Sequence, residues 1–489
     1  MIAAIRNGLP KTDHPKRIFI IGAGIAGLVT ASLLKEAGHH VTILEARDRV
    51  GGRVHTVRAP FTDGLYLDVG AMRIPQIHDL VFEYIHKFRL PINRFYNTTP
   101  NDLMYVNGVK TRLKIYRDHP EILNFPLAPH EQDKTAQELM KKALGPILQL
   151  LNQNPRHWDW VFRNFHHYSM DRFLKQNPFG FSLSPGAVNM IELLFDIESF
   201  AELSFPEIFK EELRIIFLHP DLPFFEISGG NDRLPKAFLP QLKENLLLHH
   251  EIIKIQQHPG KVILQGKDNR TSQTFEMTGD IMVTTVPYTI LPFVEVKPRH
   301  SFSYHKHNAI RKLHYSPSVK IGLEFRTRFW EEQGLHGGKS ITDLPIRFSY
   351  YPSHGMGKPG PAVVLASYTW EDDALPWGSL PEDQRIVQAL ENFAAIFGPR
   401  VYKEFVTGAS YSWTHDPYAA GGFPVFKPGQ KVELSKSMAA PQGRVYFAGA
   451  HTSDFPGWMQ GAIQSGIRVA GEINNRPRKY DQPAFSFSW

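Results

Sequence analysis

Three glycines, Gly22, Gly24 and Gly27, stand in the spacing GxGxxG, and a carboxylate, Glu45, follows 18 positions after the last of them. Between a strand and a helix this pattern holds a dinucleotide, and each residue has a physical task. Gly22 permits the tight turn, Gly24 lets the backbone approach a pyrophosphate, Gly27 allows close helix packing, and Glu45 accepts hydrogen bonds from a ribose. The N-terminus of the helix that follows offers free amides and the positive end of its dipole to an anion. The spacing alone is weak, because Gly355, Gly357 and Gly360 repeat it. That copy contains Pro359, follows a Tyr/Pro loop and leads into a strand at Ala362, so no helix N-terminus can face a phosphate there. One dinucleotide site remains. With no separate place for a nicotinamide cofactor, electrons are expected to reach the bound cofactor from the substrate itself.

The elements around these residues follow from periodicity. Arg17 to Ile21 reads as a buried strand, Leu28 to Ala37 as a helix closing at Gly38, and Val41 to Leu44 as the next strand. This βαβ unit implies a parallel sheet with a right-handed crossover. From about 129 to 222 the pattern is mainly helical, as in Thr135 to Leu151, Ser184 to Phe195 and Pro206 to Phe217. Strand signals return at Glu251 to Ile255, Lys261 to Gln265 and Ile281 to Thr285, and a second strand-rich block runs from about 312 to 370. Within it Val319, Ile321, Leu323 and Phe325 face one way and Lys320, Gly322 and Glu324 the other, so pattern alone places Lys320 on a solvated face. A last strand, Val445 to Ala448, precedes a helical stretch from Met459 to Ile473, and the Pro- and Arg-rich end after Asn475 reads as a loose tail.

Composition narrows the function classes. The 489 residues include no cysteine, which removes disulfides, zinc thiolate sites and a cysteine nucleophile. A net charge of +7 without a basic run longer than Arg476 to Lys479 fits solubility better than a nucleic-acid partner. The uncharged stretch Ile18 to Leu34 is interrupted by three glycines and reads as folded structure; no other apolar stretch is long enough to span a bilayer, and a cytoplasmic, non-membrane protein is expected. No metal is expected: His250 and Glu251 begin like HExxH but lack the second histidine, and no GxSxG supports a hydrolase.

The continuation Glu45, Ala46, Arg47, Asp48, Arg49, Val50, Gly51, Gly52, Arg53 resembles the ExxxRxGGR extension of the flavin amine oxidases, in which the glycine pair and second arginine approach the diphosphate. The resemblance covers nearly the whole chain and is strongest to the L-amino-acid oxidases, bacterial and venom type. It is carried by IRNGL at Ile5 to Leu9, GAMRIP at Gly70 to Pro75, SPGAVNMI at Ser184 to Ile191, FWEEQGLHGGKSITDL at Phe329 to Leu344, and Phe447 to Gly466. It implies FAD as cofactor and α/β plus α+β architecture: a Rossmann-like FAD-binding domain, a strand-rich substrate domain and a helical insertion. The expected division is 16–58, 226–300 and 430–475 for the first, 1–15, 59–128 and 301–429 for the second, and 129–225 for the third. The cofactor-binding set expected from it comprises Gly22, Gly24, Ile25, Ala26, Gly27, Glu45, Ala46, Arg47, Gly52, Arg53, Gly70, Ala71, Met72, Arg73, Ile252, Trp413, Gly449, Ala450, Gly457, Trp458 and Met459.

The same resemblance implies the chemistry: oxidation of L-amino acids at Cα, electrons passing to the flavin and then to oxygen, with 2-oxo acid, ammonia and hydrogen peroxide as products. Arg73 matches the arginine that grips the substrate carboxylate, a task for a planar guanidinium that lysine performs poorly. Tyr368 matches the tyrosine that shares that carboxylate. Trp458 matches the aromatic wall beside the flavin, and the Gly457 carbonyl an acceptor for the amine. Lys320 matches a lysine near the flavin N5, which bound FAD should bury and whose pKa desolvation should lower. The helix from Met459 should point its N-terminus at the flavin, where its positive end favours the reduced, anionic ring. A homodimer or larger homo-oligomer is implied.

Two positions depart from the family. Ala450 stands where a glutamate usually contacts the cofactor, and the gating histidine of the venom enzymes aligns with Glu211, an acid near the entrance that could favour cationic side chains. Alternatives within reach are an amino-acid monooxygenase yielding an amide, an amine oxidase, and a flavin-binding interaction protein.

Overall fold

In the computed structural model, residues 1–476 are described; from residue 477 onward the expected tail lies outside the described residues. The strand Arg17–Ile21 lies between His40–Leu44 and Ile281–Thr284, and Leu246–Leu247 and Val445–Phe447 complete a five-stranded sheet in which every pairing is parallel. Ile18 and Ile20 on one side of the strand and Phe19 and Ile21 on the other are all buried, as a parallel sheet covered on both faces requires. Helix Ile25–Glu36 starts three residues ahead of the expected Leu28, because Gly24 already serves as its N-cap. Helix Met459–Asn474 lies against it. A Cβ on Gly466 would stand 2.7 Å from the Ala26 carbonyl oxygen, so glycine is what lets the two backbones meet, and the Thr30 hydroxyl donates to the carbonyls of Ala26 and Gly466 across the contact.

A four-stranded sheet, Thr274–Gly279, Lys261–Asp268, His250–His258 and Glu295–Lys297, shares a core with one face of the parallel sheet through Phe19, Ile21 and Leu44 packed among Ile252, Ile255, Val262 and Leu264. The larger sheet has seven strands in the order Phe405–Ser412, Ser318–Phe325, Ala362–Trp370, Phe348–Tyr350, Lys339–Thr342, Leu103–Val106 and Val109–Arg112. The second GxGxxG falls in the turn between Phe348–Tyr350 and Ala362–Trp370, a connection with no helix behind it. Ser318–Phe325 corrects the expectation of a half-solvated strand, for all eight of its residues are buried. Its apolar side meets Phe393 and Trp377, and its polar side is covered from 62 to 70: a Cβ on Gly322 would touch Leu67, and Glu324 accepts hydrogen bonds from the Thr62 amide and hydroxyl. Alternation identified the two faces, but a polar face whose every charge has a partner can be interior.

The helical region begins with Ala136–Gln153, capped by Thr135, whose hydroxyl accepts from the Glu138 amide while Glu138 accepts from the Thr135 amide. Such a box stabilises a helix start by about 1 kcal/mol. Ser184 caps Pro185–Leu194 with its hydroxyl, which accepts from the Ala187 amide. The expected helix Pro206 to Phe217 is composite: Phe205–Ile208, a π turn Phe209–Leu213, then Arg214–Leu218. A π turn inserts a residue and re-aims the side chains that follow, and such turns recur at functional sites. These helices share one core with the seven-stranded sheet, through Leu139, Leu144, Ile191 and Phe209 together with Ile341, Phe348, Leu365 and Trp370. No helix among the described residues is long and apolar enough to cross a membrane.

Candidate active site

One long cavity gathers every residue proposed from the sequence except Gly27 and Lys320: Gly22, Gly24, Ile25, Ala26, Glu45, Ala46, Arg47, Gly52, Arg53, Gly70, Ala71, Met72, Arg73, Ile252, Tyr368, Trp413, Gly449, Ala450, Gly457, Trp458 and Met459 all line it. Gly27 acts from behind the wall. A Cβ there would lie 2.0 Å from the Gly22 carbonyl oxygen, so any side chain would push the helix off the turn. Gly22 itself has φ +103°, open to glycine and costly for other residues, whereas the Cβ position of Gly24 is clear of protein atoms within 4 Å. Glu45 is buried at 6% exposure, and its two oxygens accept from the amides of Ala23 at 2.7 Å and Arg47 at 3.0 Å. Burial raises its pKa against the pull of those amides, and lone pairs remain for a sugar hydroxyl.

The arginines of the extension divide their tasks. Arg47 pairs with Asp416 and lies 5.2 Å from the Tyr418 ring centroid, while Arg49 donates to the Gly52 carbonyl at 2.9 Å. Arg53 is different: its guanidinium is enclosed, donates to the Gly422 carbonyl at 3.3 Å and has no ion pair among the described residues. Burial lowers its pKa, an unfavourable setting that an anionic diphosphate would relieve. The cradle of open glycines, buried carboxylate and unpaired arginine fits FAD. Ala450 lines the wall at 8% exposure and brings no carboxylate to it; next to it His451 is buried, its pKa lowered by burial and by Arg53, Lys306 and Arg468. Trp413 donates its indole N–H to the Val69 carbonyl at 2.8 Å, tying the floor of the cavity to the segment that carries Arg73.

Where this cavity meets a smaller side chamber, Arg73, Glu212, Trp370 and Trp458 belong to the walls of both. Arg73 is held by Asn97 Oδ1 at 2.6 Å and by the Tyr350 hydroxyl at 3.1 Å, both through Nη1, with the Tyr350 and Phe224 ring centroids 5.7 and 6.0 Å from its guanidinium. Two neutral anchors fix the fork while leaving its charge without a bonded carboxylate. Tyr368 stands edge-on to Trp370 at 4.6 Å, both on the strand Ala362–Trp370. Trp458 is the N-cap of helix Met459–Asn474 and lines the cavity as well. Its indole donates to Glu211 Oε2 at 2.8 Å and meets the His78 ring at 4.9 Å. With Trp458, Met459 and Ala462 all on the wall, the first turn of that helix faces the cavity.

Lys320 departs from expectation in how it is buried. It is 1% exposed through protein packing alone, behind the wall, where Nζ donates to the carbonyls of Gly70 at 2.7 Å and Asp68 at 3.0 Å and lies 4.2 Å from the Tyr368 ring centroid. Burial lowers its pKa, as expected, with the nearby Asp68 opposing and Arg73 reinforcing the shift. Glu211 lies on the cavity wall beside Trp458; burial raises its pKa to about 7, and Oε1 is buried with no hydrogen-bond partner.

Sequence reasoning missed Asn97, Tyr350, Glu212, Trp370 and His78. For Trp370 a signal existed, since residues i and i+2 of a strand share a face and Tyr368 had already been singled out. Asn97 and Tyr350 carry no local signal; only folding brings residues 73, 97 and 350 together.

Residues 25–474 match the family described as flavin containing amine oxidoreductase. The chain belongs to this family. Among curated relatives, YobN of Bacillus subtilis (strain 168) is 52% identical over 478 residues, covering 98% of both chains. The L-amino-acid oxidases of the fish Siganus canaliculatus and the snake Pseudechis australis are each 34% identical, covering 97% of this chain and 88% and 90% of theirs. Among solved structures, cyclohexylamine oxidase from Brevibacterium oxydans IH-35A superposes with a TM-score of 0.75 at 18% identity, covering 94% of this chain and 99% of its own. Putrescine oxidase bound to putrescine gives 0.71 at 19% identity, covering 95% and 100%. At such identities these two establish the family's fold for this chain, an α/β FAD-binding domain with a substrate domain.

Proposed function

We propose that the protein oxidatively deaminates L-amino acids, with FAD as cofactor and oxygen as final acceptor, giving 2-oxo acids, ammonia and hydrogen peroxide. The observation that carries this reading is Arg73: a buried guanidinium on the wall of the cofactor cavity, held rigid by neutral partners and lacking a bonded carboxylate of its own. Substrates with an α-carboxylate supply the missing anion, whereas simple amines have nothing to offer it. The names of the fish and snake relatives support the same reading.

In this account Arg73 and Tyr368 hold the carboxylate and so fix the position of Cα, which converts binding energy into orientation. Trp458 and the Gly457 carbonyl flank the amine, and Trp458 is itself steadied by Glu211. Lys320, with two of its three N–H groups given to Gly70 and Asp68, keeps one donor, and desolvation suits it to release or hold a proton at Nζ. Arg53, Glu45 and the glycine turn would hold the diphosphate and ribose. The chemistry supplied by bound FAD is two-electron oxidation of the substrate's Cα–N bond, followed by electron transfer to oxygen.

Three further expectations belong to this reading: a homodimer or larger homo-oligomer, a cytoplasmic location consistent with the absence of cysteine, and the three-part domain division given above. Light scattering on the purified protein, cell fractionation and limited proteolysis test them in turn. The activity itself is tested by a peroxide assay on the purified yellow protein against the twenty L-amino acids, their D-enantiomers and simple amines. Peroxide and ammonia from L-amino acids alone are expected; exclusive turnover of amines, or an amide with carbon dioxide, overturns the proposal.

A further inference from the structure

The side chamber beyond Arg73 has an unusual make-up. Its volume is about 60 Å³, and Phe195, Ile215, Ile216 and Phe224 give it apolar walls, yet two carboxylates, Asp196 and Glu212, also face into it. Glu212 is shared with the cofactor cavity, whereas Asp196 lines the chamber alone. Asp196 follows the C-terminal end of helix Pro185–Leu194 with a left-handed backbone, φ +61°. An anion is disfavoured at that negative helix end, and Asp196 Oδ2 is buried with no hydrogen-bond partner. Burial raises its pKa despite the nearby cations, so this acid asks for a proton or a further cation.

The cations nearby are committed elsewhere. Arg73 is reserved for the α-carboxylate. Lys339, also on the chamber wall, has Asp102 as its foremost charge partner and the Phe348 ring 5.0 Å from its ammonium, and burial lowers its pKa. Arg347, the foremost positive influence on Asp196, is shared with Asp373 at 3.4 Å. Once a substrate carboxylate occupies Arg73, Asp196 and Glu212 face an apolar slot with only Lys339 and Arg347 among the described residues to offset them, both shared with other acids.

We propose that this chamber receives the substrate side chain and selects a cationic one, an ammonium or guanidinium on a straight aliphatic stem, with Asp196 and Glu212 as its acceptors. The assignment rests on Arg73 clamping the α-carboxylate, and it refines the expectation attached to Glu211: that acid is engaged by Trp458, and its chain neighbour is the one that faces the chamber. An aliphatic stem of four methylenes lies along Ile215, Ile216 and Phe224, and the terminal cation donates to Asp196 Oδ2, which has no hydrogen-bond partner, and to Glu212.

Two measurements on the flavin-loaded enzyme test this. Binding of 6-aminohexanoate is compared with binding of hexanoate through the perturbation of flavin absorbance; these differ only by the terminal ammonium and neither carries an α-amine. The ammonium form is expected to bind at least about tenfold more tightly, and Asp196→Asn and Glu212→Gln are each expected to cut that preference about tenfold. In turnover, kcat/KM for L-lysine is expected to exceed that for L-norleucine by about tenfold or more, with the ratio collapsing in the same variants. Equal or tighter binding of hexanoate to the unmodified enzyme overturns the inference without any variant, and so does a preference that survives both substitutions. If no L-amino acid yields peroxide, the oxidase reading fails, while the two binding constants still decide what the chamber accepts.

Discussion

The two ends of the cavity are made of different material. At the cofactor end the surface is largely backbone: Gly22 in a left-handed turn, Gly24 left bare, Gly27 pressed to 2.0 Å of a carbonyl at its Cβ position, and helix Ile25–Glu36 starting at once. At the substrate end it is largely side chain, with Arg73, Asn97, Glu212, Tyr350, Tyr368, Trp370 and Trp458 brought in from separate strands and helices. Backbone recognition tolerates no added atom but is indifferent to chemistry beyond it, while side-chain recognition can be retuned one residue at a time. Cofactor identity is therefore expected to be rigid in this fold and substrate choice plastic.

The largest effect should come from breaking the backbone end. Gly27→Val places a side chain against the Gly22 carbonyl, which neither partner can yield, and is expected to abolish flavin loading; the ratio of flavin to protein absorbance reads this directly, against about one FAD per chain in the unmodified protein despite Ala450. Next comes Arg73→Lys at the other end. Losing the planar fork should lower kcat/KM for L-amino acids by about two to three orders of magnitude, with flavin loading retained. If loading falls as well, the two ends are not separable in the way described.

A pH effect sharpens the comparison further. His78, 3% exposed against Trp458, has its pKa lowered to about 3, chiefly by burial and then by Arg214. A histidine held neutral in the fold but free to protonate at about 6.5 when unfolded contributes stability that is complete above pH 6.5 and lost as the pH falls toward 3. His78→Gln should therefore show a smaller loss of stability between pH 7 and 4, by about 2–3 kcal/mol, in denaturant melts. The smallest effect expected is that of Tyr350→Phe, which removes one hydroxyl from Arg73 and should raise KM by about five- to tenfold with less change in kcat.

How far the sequence reveals each end follows from the same contrast. The cradle lies within residues 22–53, so spacing and residue type state its geometry, and the structure lines the cavity with those residues, keeping Gly27 just behind. Lys320 shows the limit of pattern: strand alternation separates the faces but does not tell solvent from a second packed layer, and it was the resemblance that pointed to a buried amine. The helix from 206 to 217 was legible as helix, yet the π turn that sets the aim of Glu211 and Glu212 depends on tertiary packing. Asp196, Tyr350 and Asn97 become meaningful only once three segments meet.

The central claim, that Arg73 selects the substrate through its α-carboxylate, is tested most directly by comparing kcat/KM for L-norleucine with that for pentylamine, its decarboxylated counterpart, in the unmodified enzyme and in Arg73→Met. The account predicts that the unmodified enzyme favours the amino acid by about a thousandfold and that Arg73→Met removes most of that preference. Equal turnover of the amine by the unmodified enzyme, or a preference that persists in Arg73→Met, would contradict it.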